Sequence, residues 1–166
     1  PKDSGIEDII TIMTTNFEEK YKTLDTSKSS FSKKEIVTLA SLIEREARHA
    51  QDRPLVSSVI NNRLGIGMKL DIDATLQYAL GFQENEKRWW KRKLTDADKR
   101  ISSAYNTYAF AGLPPGPISN PGISSLQAAL SPEDTSYLYY ITDSNGTNRY
   151  AETFEQHEEN ISKYGL

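Results

Sequence analysis

Apolar residues recur at intervals of three and four positions in the first part of the chain. Across residues 6–24 this spacing places isoleucine, methionine and phenylalanine side chains on one side of a helix. The polar stretch DTSKSS then interrupts the pattern, and Ser32 stands three positions before Glu35, which is the spacing of a capping box. We therefore predict an amphipathic first helix over residues 6–24 and a second helix over residues 33–50.

The middle and the end of the chain combine shorter helical patterns with one hairpin signal. Proline suits the first turn of a helix, which favours a helix from Pro54 to about Leu64. Further helical patterns cover residues 74–80, 121–130 and 155–164. Asn145 and Gly146 separate two tyrosine-rich segments, a composition typical of a β-hairpin, which we predict within residues 137–154.

These elements predict an α+β fold. The helix-rich part is expected to run from residue 1 to about 64 and from 121 to 131. The smaller antiparallel part is expected to be built on the 137–154 hairpin, and the extended segment MKLDI (68–72) could add to it. A chain of 166 residues can bury one core but not two independent ones, so we expect a single domain over residues 1–166.

Composition excludes several classes of function. The net charge is −3, which gives no electrostatic footprint for nucleic acid. The absence of cysteine removes disulfides, zinc–thiolate sites and thiol nucleophiles, and no apolar run reaches the ~20 residues of a membrane span. His49 and His157 lack the spacing of a metal-binding helix, and no glycine-rich phosphate loop is present. We expect no metal, no cofactor and no nucleic-acid partner.

The most distinctive segment is YNTYAFAGLPPGPISNPG, residues 105–122. It holds four of the seven prolines and three of the nine glycines of the chain, and proline excludes both helix interior and central strand. Its aromatic and aliphatic side chains still require burial, so we predict a rigid loop rather than a linker. Such a loop can present polar groups as the wall of a binding site, or it can simply cover the edge of a core.

Two carboxylates interrupt the apolar face of the predicted 33–50 helix. Glu44 and Glu46 both fall within the arc occupied by isoleucines and leucines. Loss of solvation raises a carboxyl pKa, so either residue could stay protonated near neutral pH and donate a proton in glycosidic-bond cleavage. Either could instead pair with a neighbouring arginine at the rim. The pattern alone does not choose between the two glutamates.

Four separated motifs follow one another in order: LASLIEREA (39–47), VINNRLGIGMKLDIDATLQYALG (59–81), YNTYAFAGLPPGPISNPGISSLQAAL (105–130) and YLYYITDSNGTNRYAETFEQHEEN (137–160). Together they cover nearly everything from Leu39 to Asn160, and they resemble the catalytic domain of the YceG-like family, the endolytic murein transglycosylases of bacteria. The resemblance implies cleavage within peptidoglycan glycan strands, between N-acetylmuramic acid and N-acetylglucosamine. The implied product is a 1,6-anhydromuramoyl end.

The resemblance also implies a catalytic acid. In the family it is the first glutamate of the LAS-(I/L)-(I/V)-E-x-E motif, which corresponds to Glu44. Glu44 would protonate the glycosidic oxygen and then, as a carboxylate, accept the proton of the sugar's own C6 hydroxyl. We accordingly expect Glu44 to be partly buried with a raised pKa, and Glu46 to pair with a basic group or to support the site.

The candidate substrate-binding residues come from two segments: Asp73, Gln77, Tyr105, Asn106, Thr107 and Tyr108. The polar and aromatic side chains of residues 106–108 are expected to hold the sugar, with Tyr105 as a stacking or packing surface. Asp73 and Gln77 would lie one helical turn apart and could line the same cleft, or they could be a helix cap and an exposed residue. The cleft is expected between the glutamate helix and the 105–118 loop.

The resemblance is not complete. The family often has glutamine where this chain has Asp71, which adds a carboxylate near Asp73. If either aspartate stood across the cleft from the acid, a two-carboxylate hydrolase would become possible. Family members also commonly carry a cytoplasmic stretch, a transmembrane helix and a LysM-like domain upstream.

The family therefore implies a location and partners as well as a reaction. The location is the extracytoplasmic face of the bacterial plasma membrane, with an N-terminal anchor as the only membrane contact. The partners are peptidoglycan glycan strands, with cell-wall synthesis proteins as further candidates.

The segment KRWWKRKLTDADKR (87–100) interleaves Trp89 and Trp90 with basic residues. Aromatic and basic groups together suit an anionic polymer or a membrane surface. In the other interpretation, the tryptophans simply pack on the domain.

Other functions remain open at this point. The same groove could belong to a peptidoglycan-binding module without activity, or to a scaffold in a cell-wall synthesis complex. The family has also carried the label aminodeoxychorismate lyase, a pyridoxal-phosphate enzyme of folate synthesis. No glycine-rich phosphate cradle supports that label in this sequence.

Overall fold

The computed structural model describes residues 5–165. Contacts group the chain into two compact units, the first ending at Ser30 and the second comprising Phe31–Leu166. The expectation of a single domain over residues 1–166 stays a prediction.

The first unit contains a single α-helix in its described residues, which start at residue 5. α1 (Ile6–Tyr21) confirms the predicted amphipathic helix and ends somewhat before the predicted boundary. The Gly5 N–H donates to Asp8 Oδ2 at 3.1 Å, which satisfies one of the free donors of the first turn. The N–H groups of Thr23 and Leu24 donate to carbonyls of the last turn and close the helix.

The second unit contains five α-helices and a two-stranded antiparallel sheet within residues 31–165. The helices are α2 (Lys33–Glu46), α3 (Arg53–Gly65), α4 (Asp73–Leu80), α5 (Ile123–Leu130) and α6 (Phe154–Tyr164). The strands are β1 (Tyr139–Thr142) and β2 (Asn148–Ala151). This arrangement confirms the predicted α+β fold and the predicted order of its elements. In the part of the chain that is described, no helix is both long enough and apolar enough to cross a membrane.

α2 forms the centre of the core in this unit. It begins with the predicted capping box, in which Ser32 Oγ accepts the Glu35 N–H at 3.3 Å and Glu35 Oε2 accepts the Ser32 N–H at 2.8 Å. Its fully buried large side chains are Ile36, Leu39, Leu42 and Ile43. It packs mainly against α5 and α3. Because Ala47 adopts an extended backbone, α2 ends at Glu46, earlier than predicted.

The sheet is the predicted hairpin. Its register pairs Tyr139 with Ala151. In the turn, Asp143 Oδ1 accepts two backbone N–H bonds at 2.9 Å, and Gly146 has a φ of +80°, which glycine adopts without strain. α6 packs against both strands. The hairpin and α6 together form a wall that faces the end of α2.

The segment MKLDI (68–72) does not join the sheet, so this part of the prediction is wrong. Its backbone bonds to Thr107 instead. The Asp71 N–H donates to the Thr107 carbonyl at 3.3 Å, and the Ile72 N–H donates to Thr107 Oγ1 at 3.0 Å. One threonine thereby takes the donors that a strand ladder would have used. These bonds fix the chain just before Asp73, the first residue of α4.

Candidate active site

The two glutamates at the end of α2 lie in different surroundings. Glu44 and Glu46 are two residues apart, which turns their side chains about 200° from each other around the helix axis. Glu44 reaches the beginning of α5, whereas Glu46 lines a cavity.

Glu44 is held by hydrogen bonds and by an ion pair. Its Oε2 accepts the Gly122 N–H at 3.0 Å and the Ser125 hydroxyl at 2.7 Å, and its Oε1 lies 3.7 Å from the Arg53 guanidinium. Partial burial raises the pKa of Glu44, but the bonds from Ser125 and Gly122 and the charge of Arg53 outweigh it, so the pKa lies below its ordinary value. The predicted partial burial is confirmed, at 30% exposure of the side chain, but the predicted raised pKa is wrong.

These contacts give Glu44 a clear structural role. Gly122 is the N-cap of α5 and has no side chain with which to cap the helix. The Glu44 carboxylate satisfies a free N–H there and complements the positive end of the helix dipole. Since Arg53 begins α3, the same carboxylate connects three helices.

Glu46 has the opposite electrostatic surroundings. Its Oε2 accepts the Tyr140 hydroxyl at 2.6 Å. Burial raises the pKa of Glu46 and the negative charge of Asp73 raises it further, while the Tyr140 hydrogen bond and the charge of Arg45 lower it by less. The net result is a pKa above the ordinary value of a glutamate. Glu46 therefore stays protonated to a higher pH than a solvated carboxyl group would.

The cavity in front of Glu46 has a volume of about 370 Å³. Residues from α2, α3, the segment before α4, the 105–118 loop, β1 and α6 line it. Its polar lining includes Glu46, Asp71, Asp73, Tyr108, Tyr140 and His157. A cavity of this size, with several polar groups converging on apolar walls, has the character of a ligand site.

Asp73 stands at the start of α4 and faces the same cavity. Its Oδ1 accepts the Tyr108 hydroxyl at 2.6 Å. Burial and the neighbouring Asp73 carboxylate raise the pKa of Tyr108 well above that of a free phenol. Tyr108 is therefore a fixed donor over the whole physiological range, and it orients the Asp73 carboxylate.

Arg63 of α3 supplies the positive charge of the cavity. Its Nε donates to the Leu138 carbonyl at 2.6 Å and its guanidinium donates to the Leu70 carbonyl at 2.7 Å. The same guanidinium lies 3.8 Å from Asp71 Oδ2. These bonds connect the segment before α4 to Leu138, the residue just before β1, so that both segments keep their places around the cavity.

An aromatic wall closes the side formed by β1 and α6. The His157 ring stacks on Tyr139 with a centroid distance of 5.2 Å. Burial lowers the pKa of His157 and the charge of Arg63 lowers it further, so the ring is neutral near neutral pH. This wall offers flat apolar surface beside the carboxylates.

Comparison with known proteins identifies the family. The model of the YceG-like family matches residues 1–163. The chain belongs to the YceG-like family.

Two curated relatives of this YceG-like chain have the same name. A protein of Bacillus subtilis (strain 168) named endolytic murein transglycosylase is 41% identical over 165 residues, which cover 98% of this chain and 44% of the relative. A protein of the same name from Streptococcus pneumoniae (strain D39) is 29% identical over 166 residues, covering 98% of this chain and 29% of the relative. The chain thus spans less than half the length of these curated relatives.

A solved structure has the same fold as this YceG-like chain. The crystal structure of a putative yceG-like protein from Listeria monocytogenes superposes with a TM-score of 0.82 at 39% identity. The match covers 95% of this chain and 49% of the Listeria chain.

Two of the predicted sugar-holding residues of this YceG-like domain prove to be internal. Asn106 is completely buried, and its Nδ2 donates to the carbonyls of Lys99 and Ile101 while its Oδ1 accepts the N–H groups of Tyr108 and Ala109. With both side-chain atoms fully used, Asn106 orders the loop and offers nothing to a ligand.

Thr107 is also buried, and it supports the site from behind. Its Oγ1 accepts the Ile72 N–H and lies 2.9 Å from the hydroxyl of Thr75 on α4. The prediction of direct sugar contact is corrected for Thr107 and for Asn106, because neither reaches the cavity surface.

The remaining predicted residues are divided between two places. Asp73 and Tyr108 line the Glu46 cavity, so a cavity lies between the end of α2 and the 105–118 loop. Gln77 lies one turn further along α4, as predicted, but it lines a second cavity, and its Nε2 donates to the Lys91 carbonyl at 2.8 Å. Tyr105 packs on Tyr78 with a ring distance of 4.8 Å.

The sequence reasoning missed Tyr140, Arg63 and the wall formed by Tyr139 and His157. The tyrosine-rich strand YLYY was a usable signal, since Tyr combines apolar surface with a hydroxyl and is common where ligands bind. Arg63 gives no comparable local signal in the sequence.

Proposed function

We propose that this domain cleaves peptidoglycan glycan strands internally, as an endolytic murein transglycosylase. The observation that carries the proposal is the protonatable Glu46 in a cavity that also holds Asp73 and two tyrosine hydroxyls. The name of the 41% identical relative supports the same reaction. Glycosidic-bond cleavage needs a carboxylic acid that is still protonated at working pH.

We assign the proton donor to Glu46. The family resemblance pointed to Glu44, but the contacts of Glu44 favour its ionised form and engage its oxygens with α5 and Arg53. Glu46 has both required properties, a raised pKa and access to the cavity. A general acid must reach the leaving oxygen of the substrate, and Glu46 meets this requirement because it lines the cavity.

The reaction proceeds in two proton transfers. Glu46 donates its proton to the glycosidic oxygen as the bond from that oxygen to C1 of N-acetylmuramic acid breaks. The resulting Glu46 carboxylate then accepts the proton of the C6 hydroxyl, whose oxygen forms the new bond to C1. The C6 hydroxyl belongs to the same sugar, so much of the entropic barrier is already removed.

Asp73 and the tyrosines prepare this chemistry. The negative charge of Asp73 helps to keep the proton on Glu46 and lies in the cavity where positive charge develops on the sugar. Tyr108 orients Asp73, and Tyr140 orients Glu46, through hydrogen bonds of 2.6 Å each. Fixed dipoles of this kind stabilise charge without reorganising during the reaction.

A second candidate reaction is hydrolysis of the same bond. It is favoured by the position of Asp71 and Asp73, which line the cavity together with Glu46. Two carboxylates can activate water or form a glycosyl intermediate, and the product then has an ordinary reducing end. In that case Asp71→Asn would lower the rate strongly, whereas an intramolecular attack by the C6 hydroxyl does not need Asp71.

The location and the partners follow from the proposed substrate. Glycan strands lie outside the plasma membrane, so we place the working domain on its extracytoplasmic face. An upstream membrane anchor and a place among cell-wall synthesis proteins, both implied by the family resemblance, are further parts of the proposal.

Digestion of purified glycan strands tests the reaction. The expected products are shortened strands that end in 1,6-anhydro-N-acetylmuramic acid, with a mass lower by one water than a hydrolysed end. Reducing ends would instead establish the hydrolase. Binding without any cleavage would leave the domain as a binding module or a scaffold.

A further inference from the structure

A second cavity lies on the far part of α4. It has a volume of about 390 Å³ and is lined by Gln77, Tyr78, Trp89, Trp90 and Ile118. Three of these five residues are aromatic, and the two tryptophans are the only ones in the chain. We call this the tryptophan cavity.

The two tryptophans are held in different ways. The Arg45 guanidinium lies over the Trp90 ring at 3.9 Å from its centroid, a cation–π contact that fixes the indole. Trp89 meets Phe82 edge to face at 5.7 Å and nevertheless remains 65% exposed. An indole that is held by one aromatic neighbour and is 65% exposed is available to contact a ligand.

The segment that carries the tryptophans is ordered by its own bonds. The Gln83 N–H donates to the Arg88 carbonyl at 2.7 Å. The Lys91 ammonium donates to both carboxylate oxygens of Asp98, at 2.7 and 2.8 Å, and Gln77 binds the Lys91 carbonyl. The hydrogen bonds from Lys91 and Thr95 lower the pKa of Asp98 to about 2. The Lys91 ion pair therefore persists through the physiological range and pre-forms the cavity.

Two helices, α4 and α2, carry residues of the Glu46 cavity close in sequence to residues that line or hold the tryptophan cavity. Asp73 lines the Glu46 cavity and Gln77 lines the tryptophan cavity. The two residues lie one turn apart on α4, about 6 Å along the helix axis. At the end of α2, Arg45 holds Trp90 beside Glu46, the next residue. Because Asp73 and Gln77 lie on the same face of α4, a chain-like ligand that extended from Asp73 along this helix would reach Gln77.

We propose that the tryptophan cavity is a saccharide subsite, which binds an N-acetylhexosamine ring of the same glycan strand next to the cleavage position. The proposal rests on the proposed function. A pyranose ring has an apolar C–H face that suits the open indole of Trp89. Its hydroxyl and acetamido groups suit the amide oxygen of Gln77, whose nitrogen is already bonded.

The shape of the site favours a saccharide over a membrane or a folded protein. The aromatic rings line a concavity of the size of a small-ligand site.

Intrinsic fluorescence tests the subsite directly, since both tryptophans of the chain lie in the cavity. The Glu46→Gln variant is titrated with glycan strands freed of stem peptides. We expect a saturable change in tryptophan emission. Adding Trp89→Ala should weaken the apparent Kd about tenfold, with Trp90 as the remaining reporter. Phe110→Ala is the matched control, because Phe110 is a similarly exposed aromatic, at 57%, that lines neither cavity.

Kinetics of Trp89→Ala in the active protein give an independent readout. Loss of a remote stacking contact should raise KM for long strands about tenfold and leave kcat nearly unchanged, because binding of substrate and of transition state is weakened equally. Phe110→Ala should leave both constants unchanged. Equal effects of Trp89→Ala and Phe110→Ala would overturn the subsite.

The outcomes separate this proposal from the proposed function. Cleavage of strands without any change of emission on binding overturns the subsite and leaves the function in place. A saturable change of emission with no cleavage by the unmodified protein supports the subsite as a glycan-binding site and removes the enzyme assignment. A change of emission with phosphatidylglycerol vesicles but not with glycan overturns the subsite in favour of a membrane contact.

Discussion

Two carboxyl groups on one turn of α2 acquire opposite properties from their neighbours. Glu44 meets donors and a positive charge, at Gly122, Ser125 and Arg53, which lower its pKa. Glu46 meets burial and the negative charge of Asp73, which raise it. At the scale of single residues, this division separates a group that stabilises the fold from a group that can donate a proton.

Removing each carboxyl group should therefore change stability in opposite directions at pH 7. Ionised Glu44 stabilises the fold above its unfolded pKa, and this contribution is lost as pH falls through its lower folded pKa. We expect Glu44→Gln to lower the free energy of unfolding by about 1 kcal/mol at pH 7, with the difference shrinking in acid. Urea denaturation from pH 4 to pH 8 measures this difference.

Glu46→Gln should show the reverse pattern in the same titration. Because the folded pKa of Glu46 is raised, ionising it opposes folding as pH rises through that pKa. The variant should match the unmodified protein near pH 4 and become more stable than it at higher pH. A loss of stability at pH 8 in Glu46→Gln, comparable to that of Glu44→Gln, would contradict the electrostatic account.

Asp73→Asn tests the coupling between the two carboxyl groups of the cavity. The negative charge of Asp73 raises the pKa of Glu46, so its removal should let Glu46 lose its proton at lower pH. In the pH profile of kcat/KM, the fall in activity at high pH should then begin at a lower pH. The maximal kcat/KM should also decrease. Tyr108→Phe is the control, because it removes the hydrogen bond to Asp73 and keeps the charge. An alkaline limb that moved equally in both variants, or in neither, would refute this coupling.

At the scale of elements, Thr107 joins the 105–118 loop to the start of α4. Its hydroxyl binds Ile72 and Thr75, and its carbonyl binds Asp71. The loop thus sets the position of Asp73 without contacting a ligand through Thr107. This explains how a segment rich in proline, which has no regular backbone ladder of its own, can still define one side of the cavity.

Thr107→Val is expected to lower both stability and turnover. The substitution keeps the shape of the side chain but leaves the buried Ile72 N–H without its acceptor, which costs about 1–3 kcal/mol. The Thr75 hydroxyl keeps its bond to the Ile72 carbonyl. The displaced start of α4 should also lower kcat. Thr107→Ser keeps the hydroxyl and should retain most of both properties. If Thr107→Val were as stable and as active as Thr107→Ser, the bridge would have no role in positioning Asp73.

Local patterns in the sequence were enough to predict most of the elements. Helical periodicity and the Ser32 capping box located α1 and α2, and Asn145-Gly146 located the hairpin, because these signals act within a few residues. The path of MKLDI was predicted wrongly because Thr107, 35 residues from Ile72, decides it. The secondary-structure propensity of residues 68–72 could not predict a hydrogen bond to a residue so distant in the sequence.

The choice between the two glutamates depended on even more distant residues. Glu44 binds Gly122, 78 residues away, and Glu46 binds Tyr140, 94 residues away. The helical wheel placed both glutamates on the apolar side of α2, but it contains no information about these distant partners. Asp73 and Tyr108 were named as candidates from their motifs, and both line the cavity. The burial of Asn106 depends on the carbonyls of Lys99 and Ile101, which lie outside its motif.

At the scale of the second unit, the residues of the site surround the C-terminal end of α2. The core built on α2 holds Glu46 at its boundary, α3 contributes Arg63, α4 contributes Asp73, and the hairpin with α6 supplies Tyr140 and the aromatic wall. Most of the polar groups in this cavity come from different elements, so the site exists only when the whole unit is folded. Gln77 of the tryptophan cavity lies one turn beyond Asp73 on α4.

Cleavage of glycan strands by the unmodified protein, Glu44→Gln and Glu46→Gln, with end groups determined by mass spectrometry, tests the central claim most directly. Circular dichroism first establishes that all three are folded. We predict anhydro ends from the unmodified protein and from Glu44→Gln, and at least a ~100-fold loss of rate in Glu46→Gln, the usual size of a general-acid contribution. Retained cleavage in Glu46→Gln together with its loss in folded Glu44→Gln would contradict the account.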